Sequence, residues 1–139
     1  MFAAVGYLAL LIAGFGLLSL LSDAEVLAVS GLGQLPGAVG VAASVVAFTI
    51  ATAALVRRAH PSFGGVVVIV LMAFLAYLAG VLAGAVLAGV DATRVVAAIG
   101  AFSTSWFAVV LASAALVAGW AAIALVRTRA GRPRWPWER

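Results

Sequence analysis

The chain has no cysteine, lysine or asparagine, one histidine and only four acidic residues. Without cysteine, disulfides, thiolate metal sites and cysteine nucleophiles are excluded. The scarcity of charge is also local. Residues 1–22, 26–56, 61–90 and 95–126 contain no Asp, Glu, Lys, Arg or His. Little in these runs can take up a proton, attack a substrate or hold a metal, so no catalytic residue, metal ligand or cofactor is expected.

What fills the runs is apolar. Hydrophobic residues make up 67% of the 139-residue chain and charged residues 9%, against about half and about a quarter in a soluble domain. Each run can hold the roughly 20 apolar residues that cross a bilayer as a helix. The sequence therefore predicts an all-α integral membrane protein: a four-helix transmembrane bundle in residues 1–130, followed by a basic tail, 131–139. All eight cationic residues are Arg, and Ala, Val, Gly and Leu dominate; we read this as GC-rich coding and a bacterial source. A cleaved signal peptide is the competing reading of residues 1–21, but a signal has a basic start and a 7–15-residue apolar core. Met1-Phe2-Ala3 carries no basic side chain and the run is longer, so a retained first helix is expected.

The spans are expected at about 2–21, 38–56, 63–90 and 94–129. Ser22-Asp23-Ala24-Glu25 has the form of a capping box and predicts a short surface helix over about 23–30. Gly31 to Gly37 is a turn-rich entry to the second span. Pro61 disfavours helix at His60, Asp91 is a plausible N-cap, and Gly131 and Pro133 end the last helix. The third and fourth helices look too long. The 28 residues of 63–90 extend about 42 Å against roughly 30 Å of hydrocarbon, so these helices either tilt or protrude together. Ser103-Thr104-Ser105 before Trp106 favours protrusion, with Trp106 as an interfacial anchor; counting back 20 residues from Val126 reaches Phe107.

Arginine sets the orientation. Arg57, Arg58, Arg127, Arg129, Arg132, Arg134 and Arg139 lie on one side and only Arg94 on the other. By the positive-inside rule both termini are cytoplasmic and the protein belongs in the cell membrane. The net charge of +4 and pI of 11.2 do not point to nucleic acid, because the arginines sit at helix ends, where orientation and anionic headgroups account for them.

Ala76, Gly80, Gly84 and Ala88 recur at four-residue spacing. Small residues on one face let two backbones approach closely, either within one subunit or between copies. Ala43, Ala47 and Ala51, and Ala97, Ala101 and Ser105, then Ala114, Ala118 and Ala122, repeat the theme. The helical hydroxyls are expected to bond their own backbone or a neighbouring helix; if a polar path exists, it involves Thr49, Thr52 and Ser113. His60 reads as a solvated loop residue, since no other ligand lies near it. Asp91 and Arg94 read as local capping. Gly31-Leu32-Gly33 lacks the remainder of a phosphate-binding loop.

The tail, Arg127 to Arg139, interleaves Arg132 and Arg134 with Pro133, Pro136, Trp135 and Trp137. Arg draws anionic headgroups at about 1 kcal/mol each and Trp prefers the interface, so an interfacial anchor is expected; docking on a partner protein through the two Trp rings is the sharper alternative. The four-helix layout and the ending Arg132-Pro133-Arg134-Trp135-Pro136-Trp137-Glu138 resemble a family of small actinobacterial membrane proteins without an assigned role, and the resemblance implies a lineage but no mechanism. Small multidrug transporters also have four short helices, but they need a carboxylate in the first one, and residues 1–22 have none. The expected function is a non-enzymatic accessory or structural subunit that packs with other membrane proteins or with itself. A homo-oligomeric, holin-like pore or a passive transporter for a small solute is the alternative.

Overall fold

In a computed structural model, residues 2–23, 34–57 and 62–130 are described. They form five helices: α1 (Phe2–Ser22), α2 (Leu35–Val56), α3 (Gly65–Leu87), α4 (Ala92–Ser103) and α5 (Trp106–Ala130). Four of them, all but α4, are long and apolar enough to cross a membrane. Ala- and Leu-rich runs favour helix, and in hydrocarbon a helix satisfies every backbone N–H and C=O within the segment. Large apolar side chains also point outward, among them Ile12, Leu17, Ile50, Leu71, Leu75 and Leu116. Helices apolar on all sides are those of a large core or a membrane span.

Local chemistry sets the helix ends. α1 closes where Asp23 takes a left-handed φ of +50°, and Ser22 Oγ donates back to the Leu18 carbonyl. The partners of the expected capping box, Ala24 and Glu25, and the short helix expected over 23–30 lie outside the described residues. α2 starts three residues earlier than expected, at Leu35, with Pro36 in its first turn, where a missing N–H costs nothing. α3 ends in a Schellman motif. Gly89 has φ +69°, its N–H reaches the Val86 carbonyl at 3.1 Å, and the Val90 N–H reaches the Ala85 carbonyl at 3.0 Å.

The expected span 94–129 is not one helix. The chain breaks at Thr104-Ser105 into α4 and α5. Thr104 Oγ1 donates to the Gly100 carbonyl at 3.1 Å, and Ser105 Oγ donates to the Phe102 carbonyl at 2.7 Å. The Gly100 carbonyl keeps its ordinary bond from the Thr104 N–H at 3.3 Å, but the Phe102 carbonyl, which a continuing helix would give to the Trp106 N–H, takes the Ser105 N–H at 3.0 Å, and the Ser105 carbonyl accepts from the Ala108 N–H at 3.1 Å to open α5. Asp91 does hold the N-cap position of α4, with extended backbone but no bond from its carboxylate. The two long helices expected are shorter here: α3 stops after 23 residues, and the segment before Thr104 is a separate helix, α4, of 12 residues, about 18 Å long. α4 is one-sided. Val95, Ala98 and Phe102 are buried, while Arg94, Val96 and Gly100 are exposed.

α2 runs antiparallel along α3, from the contact of Leu55 with Gly65 to that of Pro36 with Gly84. α1 packs on α5, α3 also packs on α5, and α4 lies across α3 and α5. Tyr7, Leu11 and Phe15 of α1 meet Phe48 of α2, Ile69 and Tyr77 of α3, Phe102 of α4 and Leu111 of α5 in one core.

Candidate functional site

The interior holds a few neutral hydroxyls among aromatic rings. Tyr7 stacks on Phe48 with ring centroids 4.3 Å apart, which carries its hydroxyl across to α2. There it shares a buried hydrogen bond of 2.6 Å with Ser44 Oγ. Tyr77 stacks on Phe102 at 4.4 Å, and Phe15 meets Tyr77, Phe102 and Phe107 edge-on. The Tyr77 hydroxyl and Thr52 Oγ1 are buried with no hydrogen-bond partner among the described residues. No cluster of His, Asp or Glu able to hold a metal occurs among the described residues. The arrangement can donate hydrogen bonds; it presents no acid–base pair.

Thr49, Thr52 and Ser113 do not come together as one path. Thr49 and Thr52 line a cavity of about 200 Å³ between α1, α2 and α5, with Ala3, Ala4, Phe48, Ala122 and Val126. Ser113 lies in a separate groove of about 290 Å³ between α1 and α5, beside Leu10, Leu18 and Trp106. The cause is helical register: Ser113 belongs to the α1-facing side of the first half of α5, far from Ala122 and Val126. Ser113 Oγ bonds the Val109 carbonyl and Thr49 Oγ1 the Val45 carbonyl, both at 2.7 Å.

Of the small-residue row, Gly80 and Gly84 are buried against α2 of the same chain. A Cβ on Gly80 would lie 2.8 Å from the Gly40 Cα, and one on Gly84 2.7 Å from the Pro36 Cα. Ala76 is half-buried, and Ala88 is exposed at the end of α3. Ala114, Ala118 and Ala122 are buried on α5, whereas Ala97 and Ala101 are exposed on α4.

At the end of the molecule where α5 finishes, the Arg127 guanidinium sits 4.7 Å over the Phe63 ring, a cation–π contact. Phe63 in turn lies beside Trp120 at 6.3 Å. Arg132, Arg134, Trp135 and Trp137, the residues of the proposed anchor, lie outside the described residues, as do His60 and Gly31-Leu32-Gly33.

The sequence reading weighed serine and threonine and passed over Tyr7 and Tyr77, the two tyrosines of the chain. A cue was present. Tyrosine favours the ends of a span, where its ring sits at headgroup level, but both lie well inside long apolar runs, so each needs an interior to hold it. Comparison with known proteins then places the chain: over residues 1–139 it belongs to a family of unknown function, DUF6121. No curated protein and no solved structure matches it.

Proposed function

We propose that the protein is a non-enzymatic accessory or structural subunit of a bacterial cell membrane, the actinobacterial lineage being what the family resemblance implies. In this reading α1, α2, α3 and α5 cross the bilayer as a four-helix bundle. Both termini are cytoplasmic, and α4 rests at the outer surface. The observation that carries the role is the filling of the interior. Stacked rings of Tyr7, Phe48, Tyr77 and Phe102 occupy the space between the helices, and the polar atoms among them are neutral hydroxyls. Membrane transporters and enzymes keep costly ionisable groups at depth because those groups act there; the four spans have none before Arg127. Outward-facing apolar surface and the exposed small residues of α4 leave room for a neighbouring membrane protein or a second copy. The arginines at the inner ends, with the tail, contact anionic headgroups.

The test is the mass of the native assembly released from its own membrane, with each co-purifying chain identified. A defined complex with other proteins supports the accessory role. A closed homo-oligomer that conducts when reconstituted in liposomes would overturn it in favour of a pore between copies, since stacked rings fill the space between the helices of one chain. A phosphatase reporter fused at Gly33 tests the orientation, and lack of external activity there would overturn it.

A further inference from the structure

Two exposed aromatic rings and a cation stand together at the end where α5 finishes. Phe63 and Trp120 are 42% and 55% exposed, so neither belongs to the core. Their rings nevertheless stack, with centroids 6.3 Å apart and 27° between planes. The Arg127 Cζ lies 4.7 Å from the centroid of the Phe63 ring, over its face. Arg127 is itself exposed, so its donors are open to the surroundings. A guanidinium over a ring is held there by its charge, and its N–H groups form a planar fork that matches two phosphate oxygens at once.

The charge at this end has one sign. Ala3 and Ala4 of α1 share a cavity with Val126, and Leu55 meets Gly65, so the starts of α1 and α3 and the ends of α2 and α5 lie together. Arg57 closes α2 there. Among the described residues the carboxylates are Asp23, after α1, and Asp91, before α4, and both stand at the opposite end. An anion is therefore favoured over a zwitterion. Depth adds the second requirement. Trp120 precedes Arg127 by seven residues, or about 10.5 Å of helix. The headgroup region on each side of the hydrocarbon is only about 5–7 Å thick. With Arg127 at phosphate level, the strip from Arg127 through Phe63 to Trp120 runs from the headgroups into the acyl region. A ligand with a phosphate at one end and an apolar chain at the other covers all of it.

We infer that Arg127, Phe63 and Trp120 form a site for one anionic phospholipid, its phosphate taken by the Arg127 guanidinium and an acyl chain lying along the two rings. The inference rests on the membrane placement proposed above, gives the contact of the inner arginines with headgroups a particular location, and is independent of the accessory role.

The test uses the full chain in vesicles of phosphatidylethanolamine and phosphatidylglycerol, with membrane insertion verified first by flotation. In parallel preparations one lipid or the other carries a diazirine near the ester end of one acyl chain. After illumination, labelled peptides are mapped by mass. The phosphatidylglycerol probe is expected to concentrate on residues 63–67 and 120–127, and the phosphatidylethanolamine probe to label them no more than other outward faces. Arg127→Ala should lower the phosphatidylglycerol yield there about fivefold, the effect of one arginine near an anionic surface. Phe63→Leu, which keeps an apolar side chain and removes the ring, should lower it about twofold. Arg94→Ala, at the opposite end, should leave it unchanged. In a chain that floats, equal labelling by the two probes, or an unchanged yield in Arg127→Ala or Phe63→Leu, would overturn the site alone. A chain that does not float would overturn the membrane placement and the site with it.

Discussion

Alanine at Gly80 is the sharpest probe of how this chain is held together. The added Cβ would lie 2.8 Å from the Ala43 Cβ, the Gly40 Cα and the Val39 carbonyl oxygen. Carbon atoms in contact prefer about 3.5–4.0 Å, so α2 and α3 must separate by about 0.7–1.2 Å. Two of the three obstacles are backbone atoms and cannot swing aside. Overpacking of this kind costs about 1–3 kcal/mol; a value near 2 kcal/mol lowers the folding equilibrium about thirtyfold. Gly84→Ala meets the Pro36 Cα at 2.7 Å and should behave alike. The double variant should cost less than the sum, because one separation relieves both clashes. Gly6→Ala and Gly16→Ala are the controls, since an added Cβ at either has nothing within 4 Å. The assay is equilibrium unfolding in mixed micelles by titration with dodecyl sulfate, followed by far-UV circular dichroism. If Gly80→Ala unfolds within about 0.5 kcal/mol of Gly16→Ala, the scale of a neutral surface change, the close approach of α2 and α3 is refuted.

Three further outcomes are expected from the same titration. A double-mutant cycle of Tyr7→Phe and Ser44→Ala should give a coupling of about 0.6–1.7 kcal/mol, the range for hydrogen bonds between membrane helices; zero coupling would show that the 2.6 Å contact contributes nothing. Tyr77→Phe removes a buried hydroxyl without a partner and should leave stability unchanged or raise it by up to about 1 kcal/mol, so a clear loss would reveal a partner. Phe102→Ala should cost about 3–5 kcal/mol, because its ring contacts Phe15, Phe74 and Tyr77, whereas Trp106→Ala, at a residue 74% exposed, should cost far less; equal losses would contradict the docking of α4 on the core.

The existence of four long apolar helices was legible from the spacing of charge alone, because lipid-facing and core-facing residues here are equally apolar and only the ends carry ions. For the same reason the sequence had little to say about which face of each helix turns inward. Periodicity of polarity, the usual guide, is missing. The row Gly80-x-x-x-Gly84 marked a close-packing face, but its neighbour on α2, Gly40 with Pro36, emerged only from the fold. The break at Thr104-Ser105 was read as a polar patch inside one helix; whether a hydroxyl merely back-bonds or ends a helix depends on whether Phe102 has a core to enter, which is a tertiary fact. Thr49, Thr52 and Ser113 shared a chemistry in the sequence and were separated by the rotation of α5.

By itself, then, the sequence determined the strongly apolar character of this chain, the number of its long helices and the absence of charged groups from their interiors. These follow from transfer free energies, which act residue by residue. The tertiary structure decided which glycines meet, that two tyrosines are carried inside, that α4 is a separate helix closing on Phe15 and Tyr77, and that the Thr52 hydroxyl is buried without a partner among the described residues. Those outcomes depend on shape and dispersion between surfaces of equal polarity, and such contacts are settled only when all the helices are present together.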